Sequence, residues 1–149
     1  MARPRMAAGA LFFDEHGHVM LLEPTYKDYR DIPGGYVETG ESPLQACVRE
    51  VHEELGIAPG IGRLLVVDWA PSPSEGDKVL YLFDGGTLAD QVRAQIRLQA
   101  SEIKAYEFHP VGAVDDLTIP RLARRIRAAA VARDEGAVAY LEHGLQANQ

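Results

Sequence analysis

A single cysteine, Cys47, is all the chain contains, which excludes an internal disulfide framework and a cysteine-rich zinc site. That shortage points to a reducing, cytoplasmic setting. No apolar run approaches the ~18–20 residues that span a bilayer, so no membrane contact is expected. The arginines and short apolar stretch of residues 1–13 are interrupted by Gly9 and run directly into Asp14-Glu15 without a cleavage region. They read as a first strand and not as an export signal. Basic residues are in deficit, 15 Lys+Arg against 22 Asp+Glu for a formal net charge of −7, which argues against nucleic acid as a partner. There is no internal repeat and no long Pro/Ser/Gly-rich linker, so residues 1–149 are expected to form one domain. What remains is ordinary globular composition, 46% hydrophobic and 25% charged.

The negative charge is concentrated. Residues 31–54 carry six acidic side chains and one basic, net −5, whereas residues 1–30 balance to zero and residues 55–149 sum to −2. Around that segment the pattern alternates between strand and helix signals. Residues 7–13 and 18–23 are apolar and β-prone, separated by the turn-like 14–17, and predict a hairpin. Residues 24–31 form a polar loop with two tyrosines, closed by the turn punctuation of Ile32-Pro33-Gly34-Gly35. Ser42 then predicts an N-cap, Pro43 a first helical position, and Gly56 a stop for a helix over 43–55. Strands are expected at 63–69, 78–83 and 103–110, with 85–98 irregular. Thr118 is expected to cap a second helix over 119–134, and 137–141 reads as a short strand or a tail. Strands, a central helix, more strands and a late helix make an α/β or α+β domain with a mixed sheet.

The helix over 43–55 carries the chemistry. With Leu44 at 0° and about 100° per residue, Val48, Val51 and Leu55 fall within about 40° of it as an apolar stripe, with Cys47 at its edge. Glu50, Glu53 and Glu54 share an arc of about 100° on another face. These like charges at i,i+3 and i,i+4 repel, and Glu54 stands at the helix end that disfavours an anion. A solvated acidic face would normally interleave Lys or Arg, and only Arg49 is present. A hard divalent cation, Mg2+ or Mn2+, resolves the conflict because it prefers carboxylate oxygens and water.

Gly35, Glu41, Arg49, Glu50, Val51, Glu53, Glu54, Gly56 and Ile57 together spell G-x5-E-x7-R-E-U-x-E-E-x-G-U, with U aliphatic. Such a match arises by accident on the order of once in 10⁷ chains of this length. The pattern is the complete Nudix box, and the chain resembles a Nudix hydrolase. The resemblance implies a Nudix-type α/β/α sandwich with a mixed central sheet. It also implies Mg2+ or Mn2+ held by Gly35, Glu50, Glu53 and Glu54. Arg49 and Glu41 would form the ion pairs that fix the carboxylates' rotamers, Arg49 lying nearest Glu53. Glu50, Glu53 and Arg49 are then expected in the catalytic set. Glu102 joins them as a ligand or general base supplied from outside the box, the other reading being a surface glutamate at a strand edge. Glu107 is taken as structural. The implied reaction is metal-dependent hydrolysis of a pyrophosphate bond in a nucleoside diphosphate linked to another group.

Specificity is thinly written. Arg30 stands where many such proteins have tryptophan, and with Tyr29 it is a candidate for substrate contact, a surface arginine being the alternative. Trp69 and Tyr81 read more readily as core than as walls of a base pocket. Cys47 reads as a small packing residue, and His52 and His109 as uninvolved. Arg121, Arg124, Arg125 and Arg127 read as a solvated helix face or a subunit contact, above a buried stripe of Leu122, Ile126 and Ala129. Two functional alternatives stay open: a non-catalytic nucleotide-sensing Nudix domain that regulates a partner, and isomerase chemistry on an isoprenoid diphosphate. Analogy to such proteins leaves a homodimer open.

Overall fold

Alternation in the first strand sets the layering. The computed structural model describes residues 1–147, and its β1 (Arg5–Phe13) turns Ala8, Ala10 and Phe12 to one face and Leu11 and Phe13 to the other. Both faces are covered. α1 (Pro43–Leu55) packs its Cys47, Val51 and Leu55 on the first, and α3 (Pro120–Glu135) packs Leu122, Ile126 and Ala129 on the second. Because each face of β1 is buried, the strand reads as a nearly continuous apolar run.

The sheet runs β6-β2-β1-β5-β4-β7-β8. β1 is parallel to β5 (Lys78–Thr87), and β4 (Leu64–Trp69) is antiparallel to β5 and parallel to β7 (Ala139–Glu142). β2 (Val19–Pro24) is antiparallel to β6 (Ile103–His109), and β8 (Leu145–Gln146) closes the far edge against β7. The expected mixed sheet between helical layers is what forms. Among the described residues no helix is long and apolar enough to cross a membrane.

One irregularity positions the site. β2 meets β1 only at the Phe13↔Val19 pair, and the other end of the same edge, Ala7 to Gly9, is taken by β3 (Gly34–Tyr36). The sheet therefore splits between β2 and β3, and the chain between them bows outward. Gly34 makes this junction feasible: a Cβ there would lie 2.4 Å from the Ala8 carbonyl oxygen, and its φ is +154°. No side chain fits so close a crossing of two backbones.

Four local expectations are corrected. β5 does not stop before residue 85 but continues to Thr87 through a bulge, where the β1 register shifts between Leu11 and Phe12. Gly85 fits there because a Cβ would strike the Phe12 ring at 2.4 Å, so its glycines mark a bulge and not a loop. A one-turn helix α2 (Asp90–Arg93) follows. Thr118 does not cap α3, whose N-cap is Ile119; its hydroxyl instead donates to the Arg30 carbonyl at 2.6 Å and ties down the loop before β3. On α1, Leu44 and Val48 are 42% and 41% exposed while Ala46, Cys47, Val51, Glu54 and Leu55 are buried. The helix is thus rotated so that Cys47 lies inside the buried face and Glu54 is drawn toward β3.

Candidate active site

Ser42 starts α1 with a reciprocal capping box: its Oγ accepts from Gln45 N–H, and the Gln45 side chain accepts from Ser42 N–H. Gly56 ends the helix in the left-handed conformation at φ 69°. Between these fixed ends the acidic side chains separate into distinct environments.

Glu54 is the buried one, at 8% exposure. Its Oε1 accepts from the Gly34 N–H at 2.8 Å, which ties the end of α1 to the start of β3. Burial, reinforced by the charges of Glu50, Asp31 and Glu102, overcomes that hydrogen bond and pushes its carboxyl up to about 8. Glu50 is half-buried, and burial raises its carboxyl above the ordinary range even though Arg49 opposes the shift. It lies under Gly35, where a Cβ would sit 2.5 Å from the Glu50 carboxyl carbon.

Arg49 does the organising. It grips Glu41 with two bonds of 2.7 and 3.0 Å, donates to Glu50 Oε1 at 2.9 Å, and reaches the Tyr36 carbonyl at 3.1 Å. Its contact with Glu53 is longer, 3.4 Å to either oxygen. Arg49 therefore lies nearest Glu41 and Glu50, not Glu53, because the planar fork spans from the α1 surface to the loop before it. The same grip, together with the Glu38 N–H, holds the Glu41 carboxyl down at about 2. Cys47 is buried among apolar groups, which pushes its thiol up to about 12 and leaves it inert.

A cleft of about 710 Å³ opens at the split in the sheet. Glu50, Glu54, Gly35, Glu102 and Tyr29 all line it, so the structure brings most of the expected residues together. Glu53 does not join them; its side chain is 48% exposed on the outer side of Arg49. Arg30 is also absent from the cleft. Its guanidinium donates to Glu107 at 2.8 Å, which ties the loop to β6. Tyr81 lines the cleft while Trp69 does not. Among the described residues no three His, Cys, Asp or Glu side chains converge tightly enough to grip an ion as they stand.

Two cleft residues, and the buried partner of one of them, escape a reading of the box. Asp31 lines it, accepting from Lys27 Nζ at 2.5 Å. Arg125 lines it from α3, joined at 2.7 Å to Asp68, which is wholly buried. The signal for the last two was available: an aspartate inside the apolar run Leu64–Trp69 needs a buried partner, and only an arginine on the buried side of α3 supplies one. The expected solvated arginine face thus dissolves: Arg125 is buried, Arg124 binds the His143 carbonyl, and Arg127 pairs with Asp115.

The residues suit a hard cation. The donors are carboxylate oxygens, a buried Glu54 has one N–H partner and three acidic neighbours, and Gly35 leaves space beside Glu50 that any Cβ would fill.

Comparison with known proteins agrees with this geometry. The model of the NUDIX domain matches residues 3–130. A Lactococcus lactis subsp. cremoris protein described as a "Probable DHNTP pyrophosphohydrolase" is 37% identical over 70 residues, which are 46% of this chain and 42% of that one. The match thus spans less than half of that relative. Among solved structures, the MutT protein of Methanosarcina mazei Go1 superposes with a TM-score of 0.70 at 24% identity, over 91% of this chain and 98% of that one. A UDP-X diphosphatase does so with a TM-score of 0.74 at 21% identity, over 95% and 68% respectively. At these identities the structures speak for the fold. The family model covers most of the chain, and the chain belongs to the NUDIX domain family.

Proposed function

We propose that this protein hydrolyses the pyrophosphate bond of a nucleoside diphosphate linked to another group, using a divalent cation, Mg2+ or Mn2+. The observation that carries the reading is the buried Glu54, which shares one cleft with Glu50, Glu102 and Asp31 and makes no ion pair among the described residues. Such a charge arrangement is unfavourable alone and becomes favourable when a cation is shared with an anionic substrate. Glu50, Glu54 and the Gly35 carbonyl, which line the cleft, would hold the ion, and Glu53 would complete the set once its exposed side chain turns inward past Arg49. When bound it screens the phosphates from the carboxylates, polarises a P–O bond and makes water more acidic.

The chain's own groups divide the remaining work. Arg49 fixes Glu50 and Glu41, so the carboxylate nearest Gly35 keeps one orientation. Glu102 carries the second role. Its carboxylate takes no hydrogen bond among the described residues and faces the same cleft, which leaves it free to accept the proton of the attacking water. Glu50 is the weaker candidate because Arg49 already occupies one of its oxygens.

Arg49→Lys tests the positioning role. It keeps the charge and loses the fork, so kcat should fall about 10–100-fold and the Mg2+ concentration for half-maximal rate should rise. An unchanged Mg2+ response measured by titration would refute it. The reading as a whole is tested with a panel of nucleoside triphosphates including oxidised purines, ADP-ribose, NADH, nucleotide sugars, dinucleoside polyphosphates and coenzyme A. At least one member should be cleaved with Mg2+ or Mn2+ and spared in excess EDTA. Binding without turnover of any member would favour a nucleotide sensor instead.

A further inference from the structure

The side of the cleft that α3 lines is built differently. Its floor is apolar and small, with Ala7 and Gly9 from β1 beside Leu80 and Leu82 from β5. Its wall is α3, which presents Arg121 and Arg125 one turn apart, and Lys78 stands nearby. Arg125 is the anomaly. The residue is more than nine-tenths buried, and only its Nε has a partner, Asp68 Oδ2 at 2.7 Å. Asp68 is wholly buried and its other oxygen accepts from the Gly144 N–H at 3.0 Å, so it cannot swing away. The guanidinium is therefore locked in plane while both terminal amino groups lack a partner among the described residues and face the cleft. These two nitrogens are not sealed from solvent, so they stand as open donors that a ligand in the cleft can engage.

The charges narrow what that ligand is. Arg121 lies at i−4 to Arg125, and two like charges so placed on a helix repel. Arg121 has only a long bond to the Pro71 carbonyl, 3.4 Å. Lys78 is neutralised by Glu75 at 2.5 Å, and Asp68 balances Arg125. One positive charge, that of Arg121, is left over beside an unfilled guanidinium fork. A neutral acceptor would satisfy the fork and leave that charge standing; an anion with two oxygens satisfies both.

We propose that Arg125, oriented by Asp68 and assisted by Arg121, binds a second anionic group of the substrate, a phosphate or carboxylate remote from the diphosphate that is cleaved. The proposal rests on the reading of the carboxylate end as a diphosphate-hydrolysing site and deepens it. The substrate is then a nucleoside diphosphate derivative with negative charge at both ends of an apolar middle. Arg125 acts in specificity and not in the chemical step.

Two measurements test this, and the first needs no turnover. In EDTA the carboxylate end repels anions, so anion binding reports the arginine end alone. Inorganic phosphate and adenosine 2′-monophosphate are titrated against the isotope-labelled protein, with adenosine as the neutral control, following the arginine side-chain N–H signals. The phosphate-bearing probes should move the terminal N–H signals of Arg125, and adenosine 2′-monophosphate should bind at least tenfold tighter than adenosine. Arg125→Lys keeps the charge opposite Asp68 and spares the fold, yet should lose that tenfold difference; Arg121→Gln should reduce it. Equal binding of adenosine and its 2′-phosphate would overturn the proposal in favour of a neutral base edge. Silence of the Arg125 signals with every probe would make the fork structural.

The second measurement uses matched substrates with Mg2+: NADPH against NADH, and coenzyme A against its 3′-dephospho form. The phosphorylated member should have at least a tenfold higher kcat/KM, carried by KM, and Arg125→Lys should shrink the advantage below twofold. Parity in the unmodified protein overturns the specificity. Failure to hydrolyse any of the four while other members of the nucleotide panel are cleaved would overturn the specificity, whereas binding of the probes in EDTA with no panel member cleaved would count against the hydrolase reading and leave the anion site intact.

Discussion

Glu54→Gln should produce a protein that is more stable without metal and nearly inactive with it. Glutamine keeps the acceptor for the Gly34 N–H and removes the buried charge that Glu50, Asp31 and Glu102 oppose. The pH dependence follows from the direction of the shift. The folded carboxyl sits at about 8, above its ordinary value, so the protonated fold is fully stabilised below the usual carboxylate range. That stability drains away as pH rises through about 8. Glutamine does not ionise, so in EDTA the variant's advantage should be small at pH 5 and should grow up to pH 8.5. One pKa unit corresponds to about 1.4 kcal/mol, so an advantage of at least about 3–6 °C in Tm is expected at pH 8.5. Turnover with Mg2+ should fall at least about 100-fold, the scale of losing a charge-stabilising group. Calorimetry in EDTA and initial rates in Mg2+ check the two halves. A less stable variant, or one with full activity, would break the link between buried charge and function.

Gly35→Ala should disable the site while leaving the fold standing. Its Cβ would lie 2.5 Å from the Glu50 carboxyl carbon and from Oε1, so Glu50 must swing out of the position in which Arg49 holds it. The obstacle is the end of a flexible side chain and not backbone, so Tm should drop by no more than about 5 °C. A catalytic group displaced by about 1 Å loses on the order of 100-fold in rate. The neighbouring change, Gly34→Ala, is the control: its Cβ meets the Ala8 carbonyl at 2.4 Å and Gly9 Cα at 2.7 Å, so it should unfold the β1–β3 junction. If Gly35→Ala left kcat within threefold of the unmodified protein, the closeness of Gly35 to Glu50 would have no catalytic meaning.

The two glycines also show how much the sequence disclosed. Their types and spacing from Glu50 and Glu54 were legible because chemistry that needs backbone close to carboxylate leaves little choice of residue. The helix bounds were legible for the same reason, since Ser42, Pro43 and Gly56 each satisfy a local requirement of a helix end. What lay hidden was non-local. The rotation of α1 depends on Glu54 reaching Gly34, 20 residues away, and a helical wheel, which knows only hydrophobicity, placed Leu44 and Val48 inward. The continuation of β5 through Gly85 depends on the Phe12 ring in β1. The settings of Arg30 and Arg125 were hidden because their partners, Glu107 and Asp68, stand 77 and 57 residues away. An arginine's partner decides whether it is a strut or a donor, and only the fold supplies the partner.

The proposed reaction needs this cleft to hold a divalent cation and to direct water at a diphosphate linkage. It is tested most directly by running the nucleotide panel with Mg2+ in ¹⁸O-enriched water and following the label by ³¹P NMR. Hydrolysis predicts one ¹⁸O atom in a phosphate of the products from at least one member, no reaction in excess EDTA, and recovery when Mg2+ or Mn2+ is restored. Turnover that survives EDTA, or products formed without label in any phosphate, would contradict the account.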